Sequence, residues 1–379
     1  MNKVTKIIVW IVVIVLAIWV FSSGNEKSVS NESIKIGALL PLTGKLANLG
    51  EDVRNSLELT RQQIKEKDGI DLEIIYEDSA ADAKIALPAA QKLINADKVQ
   101  MIIGGPGSTS NLAVAPFVEK AQVPFFVLSA TPQLNVAGEY IFKIIPDVNG
   151  EVLRTAKKLI DGNLKTVAFI YDSAADSNVI GRDVFVAEYE KLGGKVVLNE
   201  GYDTKTTTDF RPIFTKAKGR NPSAVYFLGT DIAAGLAVRQ AREIGLKQTI
   251  FGWSAAESQQ FIKGAGQASE GFVLSTFKFS CDEGDQDSVD FCLAYGKMFD
   301  SRVPVHYGAH AHDLLLVIKD VVKNTKESGQ DFGQAIIKAF TSHSYEGITG
   351  KLDFDAQGNV VDKDFVYRTV KDGKFVLAK

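Results

Sequence analysis

The sequence predicts an α/β chain of two parallel-sheet units with helices on both faces, preceded by a short apolar segment at the N-terminus. Three observations carry this prediction. Short β-rich runs alternate with amphipathic helical patterns from Ile34 almost to the end. The 346 residues from Ile34 to Lys379 are too many for one hydrophobic core and comfortable for two. Fifteen unbroken apolar residues, Ile7 to Phe21, follow Lys3 and Lys6.

At about 1.5 Å rise per residue that run spans about 22 Å, short of the roughly 30 Å hydrocarbon core unless its flanks contribute. The charges on its N-terminal side put that end in the cytoplasm and everything after Phe21 outside. The exits Val20-Phe21-Ser22 and Ser22-Ser23-Gly24 lack the Ala-x-Ala form of a cleavage site. Residues 1–24 therefore read as a signal or anchor segment, with retention favoured and membrane contact through residues 7–21. A lipid anchor is excluded because the only cysteines are Cys281 and Cys292. Residues 25–33 are polar and without apolar periodicity, as expected of a tether.

The first unit opens with a strand over 34–40, a helix over 49–67, a strand over 72–77 and a helix over 83–97. Strands at 101–103 and 125–127 flank a helix over 112–121, and 141–145 nearly completes the unit. A second series begins after Asp147. Helices over 151–160, 182–192, 210–218 and 232–244 alternate there with strands at 166–171, 196–199, 224–228 and 249–252. From about Ser275 the pattern turns mainly helical, over 289–299, 309–323 and 332–341, before strands at 351–354, 365–370 and 375–377. No repeat of about 20–50 residues shows, which argues against a solenoid.

A composition of 45% apolar and 23% charged residues with net charge −3 is that of an ordinary globular protein, and no basic excess points to nucleic acid. Cys281 and Cys292 stand eleven apart around an acidic stretch, which outside the cell reads as one disulfide closing a surface loop. Two thiolates are too few ligands for zinc.

Ligands of open α/β sheets bind beyond the carboxyl ends of strands, where loops lead into helices. Two such loops are rich in hydroxyls: Gly104-Gly105-Pro106-Gly107-Ser108-Thr109-Ser110, and Leu128-Ser129-Ala130-Thr131-Pro132. Glycine admits a ligand to backbone amides, Ser and Thr add donors, and a helix start favours negative charge, a combination that suits a carboxylate. The bland reading of Ser108 or Thr109 is a helix cap.

Other chemistries fit poorly. Ser110 stands where a dinucleotide fingerprint needs its third glycine, so no cofactor is expected. Gly347-Ile-Thr-Gly350-Lys351 is too short for a phosphate loop, and no Gly-x-Ser-x-Gly elbow exists. His306, His310, His312 and Asp313 offer the best metal pattern. The apolar run 314–318 instead predicts a helix with its polar residues turned outward, and no metal is expected. His343 is isolated, and with no nucleophile, base and orienting group in one motif the chain is expected not to be an enzyme.

The chain resembles the branched-chain amino acid (leucine-type) substrate-binding proteins of ABC transporters, with the type I periplasmic binding fold. The resemblance rests on Ile34-Lys-Ile-Gly-Ala-Leu-Leu-Pro-Leu-Thr-Gly44 with Gly50, Ile103-Gly104 with Ser108, and Leu128-Ser-Ala-Thr131. It continues through Val238-Arg-Gln-Ala-Arg242 with Gly245-Leu246, then Gly347-Ile-Thr-Gly-Lys-Leu-Asp-Phe-Asp355 with Gly358 and Asp372-Gly-Lys-Phe375. It implies two lobes joined by three crossovers near Asp147, Gly271 and Gly347. Lobe one would comprise 34–147 plus 273–346, and lobe two 148–272 plus 347–379.

It also implies a ligand in the cleft between the lobes and a membrane permease that recognises the closed form. Positions matching Ser108, Ser129 and Thr131 would hold a ligand carboxylate, and Asp147 matches an acidic hinge residue that helps hold an amino group. Leu49 and Thr230 stand where leucine-type members carry aromatics. Ser254, after Trp253, stands where an acidic partner for the ammonium group is common, with Asp231 or Glu257 as replacements. The carboxylate half looks retained and the ammonium half altered.

The expected function is capture of a small carboxylate-bearing solute, an amino acid or a related acid, for an ABC importer. A ligand-sensing ectodomain that signals through a separate membrane partner is the alternative, since about six residues before Ile7 are too few for a signalling domain.

Overall fold

The computed structural model describes residues 33–378 except 283, 329–331 and 362. The expected anchor over 1–24, and the tether apart from Ser33, lie outside the described residues. Among the described residues no helix is long and apolar enough to cross a membrane.

The first sheet is built from β1 (Ile34–Leu40), α1 (Ala47–Asp68), β2 (Leu72–Asp78), α2 (Ala83–Asn95), β3 (Met101–Gly104), α3 (Ser108–Ala121), β4 (Phe125–Val127) and β5 (Ile141–Lys143). Its strands lie in the order β2-β1-β3-β4-β5 and are all parallel. The chain then forms α4 (Val148–Asp161), β6 (Thr166–Asp172), α5 (Asp176–Lys191), β7 (Lys195–Tyr202), α6 (Arg211–Gly219), β8 (Ala224–Leu228), α7 (Asp231–Glu243), β9 (Thr249–Gly252), α8 (Gln259–Ala265) and β10 (Val273–Phe277). Last come α9 (Gln286–Met298), α10 (His306–Ser328), α11 (Phe332–Ser342), β11 (Tyr345–Gly347), β12 (Gly350–Phe354), β13 (Val360–Val361), β14 (Phe365–Lys371) and β15 (Lys374–Leu377).

Side chains alternate across each sheet, so apolar residues of opposite parity feed two cores. Ile36, Ala38 and Leu40 pack with Val53 and Leu57 of α1 and Leu314 and Ile318 of α10. Leu39 and Ile102 face the other way, onto Leu93 of α2 and Val114 of α3. In the second sheet Ala168 and Ile170 meet Phe214 and Val238, while Val167 and Phe169 meet Leu159 and Phe185. Both sheets are thus covered on both faces, and each with its helices is called a lobe below.

The second sheet has the order β15-β14-β10-β9-β8-β6-β7 and is not wholly parallel. β14 runs antiparallel to β10, and β15 antiparallel to β14. Two expected boundaries shift accordingly. β10 pairs with β9 and β14, so 273–277 belongs to the second sheet and the chain crosses after Phe277. Leu352 and Val360 pack into the core of the first lobe, and Lys143 bridges to Asn359, so the last crossing falls between Val361 and Phe365 rather than at Gly347.

Helix starts show why the cleft loops escape an apolar pattern. α3 begins at Ser108, not 112, and α5 at Asp176, not 182. Their first turns are polar and point away from the apolar stripe that sequence periodicity detects. Elsewhere the caps are legible: Asp82, Asp147, Ser258 and Asp285 accept backbone N–H groups of the following helices.

The helix α10 corrects one expectation outright. His306, His310, His312 and Asp313 are all buried, not turned outward. The rings of His306 and His310 each lie 4.9 Å from Phe277, and His312 Nδ1 lies 2.7 Å from Thr60 Oγ1. Asp313 accepts N–H bonds from Ile348 and Thr349, both at 2.9 Å. His343 is exposed. Cys281 and Cys292 are disulfide-bonded, beside a cluster of Leu59, Phe279, Phe291 and Tyr295.

Candidate functional site

A cleft of about 270 Å³ opens between the lobes at the carboxyl ends of their parallel strands. One wall comes from the β3–α3 loop and the residues after β4. The other comes from the ends of β6, β7, β8 and β9.

On the first wall the chain must turn sharply into α3. Gly107 takes φ 134°, a conformation L side chains rarely adopt, and an added Cβ at Gly104 would meet the Phe125 ring at 2.6 Å. Asn111 Nδ2 donates to Gly105 O at 2.8 Å and Ser110 Oγ to Gly107 O at 2.9 Å, which holds the loop. Ser108 is thereby the first residue of α3, and its Oγ lies 3.1 Å from Ser129 Oγ. Two hydroxyls and the positive end of a fourteen-residue helix converge on one spot of the cleft wall, an arrangement that favours an anion.

Of the residues expected at the site, Leu49, Ser108, Thr109, Ser129, Ala130 and Thr230 line the cleft. Thr131, Asp147 and Ser254 do not. Thr131 is fully buried with an unpartnered Oγ1. Asp147 caps α4 through Asn149 N at 2.9 Å and sits 3.9 Å from Lys143 Nζ, a buried amine that burial pushes down to about 8. Ser254 is turned onto Glu151, donating through N at 3.2 Å and Oγ at 3.0 Å. Burial raises the Glu151 carboxyl to about 8.

The two replacement acids are also engaged behind the wall. Asp231 accepts from Asn48, from Ser258 Oγ at 2.9 Å and from Ile232 N at 2.8 Å. Glu257 takes Arg368 Nη1 at 2.6 Å and the Thr276 hydroxyl.

Residues missed in the sequence complete the lining: Asp172, Asn178, Lys205, Trp253 and Tyr307 among them. Asp172 ends β6, where the strand-end rule that singled out the β3 loop also applies. Tyr307 carries no local signal, since it arrives on α10 from the far end of the chain.

Three contacts join the lobes around the opening. Asn48 Nδ2 donates to Asp231, Thr109 Oγ1 donates to Asp176 Oδ2 at 3.2 Å, and Lys205 Nζ lies 3.8 Å from Asp82 Oδ2. The structure is therefore a closed form.

A model of the family described as periplasmic binding protein matches residues 33–374. The chain belongs to that family. It is a solute-binding protein of the transporter type, not an enzyme, and such a protein works outside the cytoplasm. A Leucine-, isoleucine-, valine-, threonine-, and alanine-binding protein from Pseudomonas aeruginosa is 28% identical over 91% of this chain and 92% of its own length. Two solved structures share the fold. A branched-chain amino acid transporter substrate binding protein from Streptococcus pneumoniae, in complex with isoleucine, has TM-score 0.83 and 23% identity, covering 91% of this chain and 98% of that one. An ABC transporter solute binding protein from R. palustris, in complex with benzoate, has TM-score 0.83 and 20% identity, covering 91% and 95%.

Proposed function

We propose that this protein captures a small carboxylate-bearing solute, an amino acid or a related acid, between its lobes and presents it to an ABC permease. The observation that carries the reading is the pairing of Ser108 Oγ with Ser129 Oγ at the N-terminus of α3 on the cleft wall. Ligand contact is assigned to Leu49, Ser108, Thr109, Ser129, Ala130 and Thr230. The isoleucine and benzoate complexes of the two structural neighbours share only a carboxylate, the group this wall suits.

The lobes of this reading are 34–147 with 278–361, and 148–277 with 365–379, and residues 7–21 hold the protein to the membrane. Closure over the ligand brings the Asn48–Asp231 and Thr109–Asp176 pairs together. A thermal-shift screen against amino acids, aliphatic acids and benzoates tests the function. A bound acid raises the melting temperature with its concentration, by a few kcal/mol of stability at saturation. No shift with any carboxylate overturns the reading.

A further inference from the structure

We infer that Asp172 holds a positive centre of the ligand, so that the solute is a zwitterion and the cation partner has moved to the end of β6. This rests on the carboxylate reading above and adds the second pole to it.

Asp172 lines the cleft on the wall of the second lobe, opposite the serine wall, yet is only 4% exposed. Its Oδ1 is fully engaged, accepting Ala174 N at 3.1 Å and Thr204 N at 3.2 Å. Its Oδ2 accepts no hydrogen bond from the described residues. A buried carboxylate oxygen facing free space is costly unless something donates to it. Burial raises the Asp172 pKa, with the two amides and the charge of Lys205 acting the other way.

The other charged groups around the cleft have partners or stand at its mouth. Lys205 approaches Asp82, Asp176 takes the Thr109 hydroxyl, and Lys45 is exposed. Asp231 and Glu257 are saturated behind the wall. That leaves Asp172 as the acidic group with an oxygen free for a ligand. An ammonium there and a carboxylate at Ser108 and Ser129 would bridge the two walls, with the rest of the molecule against Leu49, Trp253 and Tyr307. Such a ligand draws the lobes together by charge at both ends, which a plain carboxylate cannot do.

The test is calorimetry on the full chain in detergent with matched pairs that differ only in the amine: leucine and 4-methylpentanoate, valine and 3-methylbutanoate, alanine and propionate, with benzoate alongside. At least one amino acid is expected to bind ten-fold or more tighter than its des-amino partner. Asp172→Asn, which keeps Oδ1 for both amides, is expected to erase that ratio by weakening the amino acid alone. If des-amino acids or benzoate bind as tightly as the amino acids, or if Asp172→Asn weakens both members of a pair alike, Asp172 is not the cation site and the carboxylate reading stands. If no member of any pair binds and benzoate does not either, both readings fall. The wild-type comparison decides even if the variant does not fold.

Discussion

Asn48 of the first lobe donates through Nδ2 to the carboxylate of Asp231, which is fully buried at the start of α7 in the second lobe. The bond exists only when the lobes meet, so it belongs to the closed state. Asn48→Ala removes it while Asp231 keeps Ser258 Oγ and Ile232 N. A net hydrogen bond to a charged group contributes about 1.5–3 kcal/mol, so ligand affinity is expected to fall roughly ten-fold or more with little loss of ligand-free stability. Titration calorimetry and small-angle scattering of the saturated variant check this; unchanged affinity would show that the pair does not act in closure.

Ser108→Ala and Ser129→Ala each delete one hydroxyl from the anion wall. Each hydroxyl is paired only with the other in the ligand-free cleft, so melting of the free protein should change little. Dissociation constants for the carboxylate ligand should rise about ten- to hundred-fold per substitution, and the double variant should bind below detection. Wild-type affinity in either single variant would move the anion site elsewhere.

These predictions draw on residues that were unequally legible beforehand. Alternation at Ile36, Ala38 and Leu40 reveals a two-sided strand because each apolar side chain has a fixed face. The glycines and hydroxyls of 104–110 mark a ligand loop by chemistry alone. Asp172, by contrast, reads in sequence as one more acid after a strand. Only the tertiary fold shows that one of its oxygens is engaged and the other is not. β10 was missed because its partners, β9 and β14, lie 20 to 100 residues away, and the helical pattern that follows it masks five residues of strand. The histidines of α10 look like a polar face by composition. They are buried because the segment 345–361 and Phe277 cover that face, which no local pattern reports.

Trp253 gives a direct reporter of occupancy. It lines the cleft, its Nε1 donates to Gly229 O at 2.9 Å, and it is the sole tryptophan of residues 34–379. Ligand that displaces water from the indole should shift its emission by a few nanometres, saturating with the calorimetric dissociation constant. Trp253→Phe should abolish the signal. A saturating ligand that leaves the emission untouched would place binding outside this cleft.

The Cys281–Cys292 bond closes a loop across a separation of 11 residues and touches none of the cleft lining. Loop-closure entropy for such a loop is worth about 3 kcal/mol. Replacing both cysteines with serine should lower the melting temperature by roughly 2–6 °C and release Phe279 and Phe291 from their packing. Ligand affinity should stay within about two-fold. A large loss of affinity instead would tie this loop to closure.

Glu151 sets a pH dependence whose sign can be worked out. Burial holds its folded pKa at about 8 against an ordinary 4.5, the bonds from Ser254 and Ser275 opposing the shift and the charge of Glu257 adding to it. The folded state therefore binds this proton more tightly than the unfolded state. The contribution of Glu151 to stability is complete below pH 4.5 and is lost as pH rises to about 8. Asp52 and Asp313, raised to about 7 and about 6, act in the same direction. Buried His306 and His312, lowered to about 3 and about 4, act in the opposite one, losing stability as pH falls below the ordinary 6.5. A comparison with Glu151→Gln cancels those other groups. Glutamine stays neutral, its Oε1 can accept from Ser254 N and Ser275 Oγ, and Ser254 Oγ can turn to accept from Nε2. The stability of Glu151→Gln minus that of the wild type should climb between pH 4.5 and 8, by on the order of 1–3 kcal/mol, and be flat outside that window. A flat difference across the whole range would mean that Glu151 is ionised in the folded protein as readily as in water, and that its burial against Ser254 is not maintained in solution.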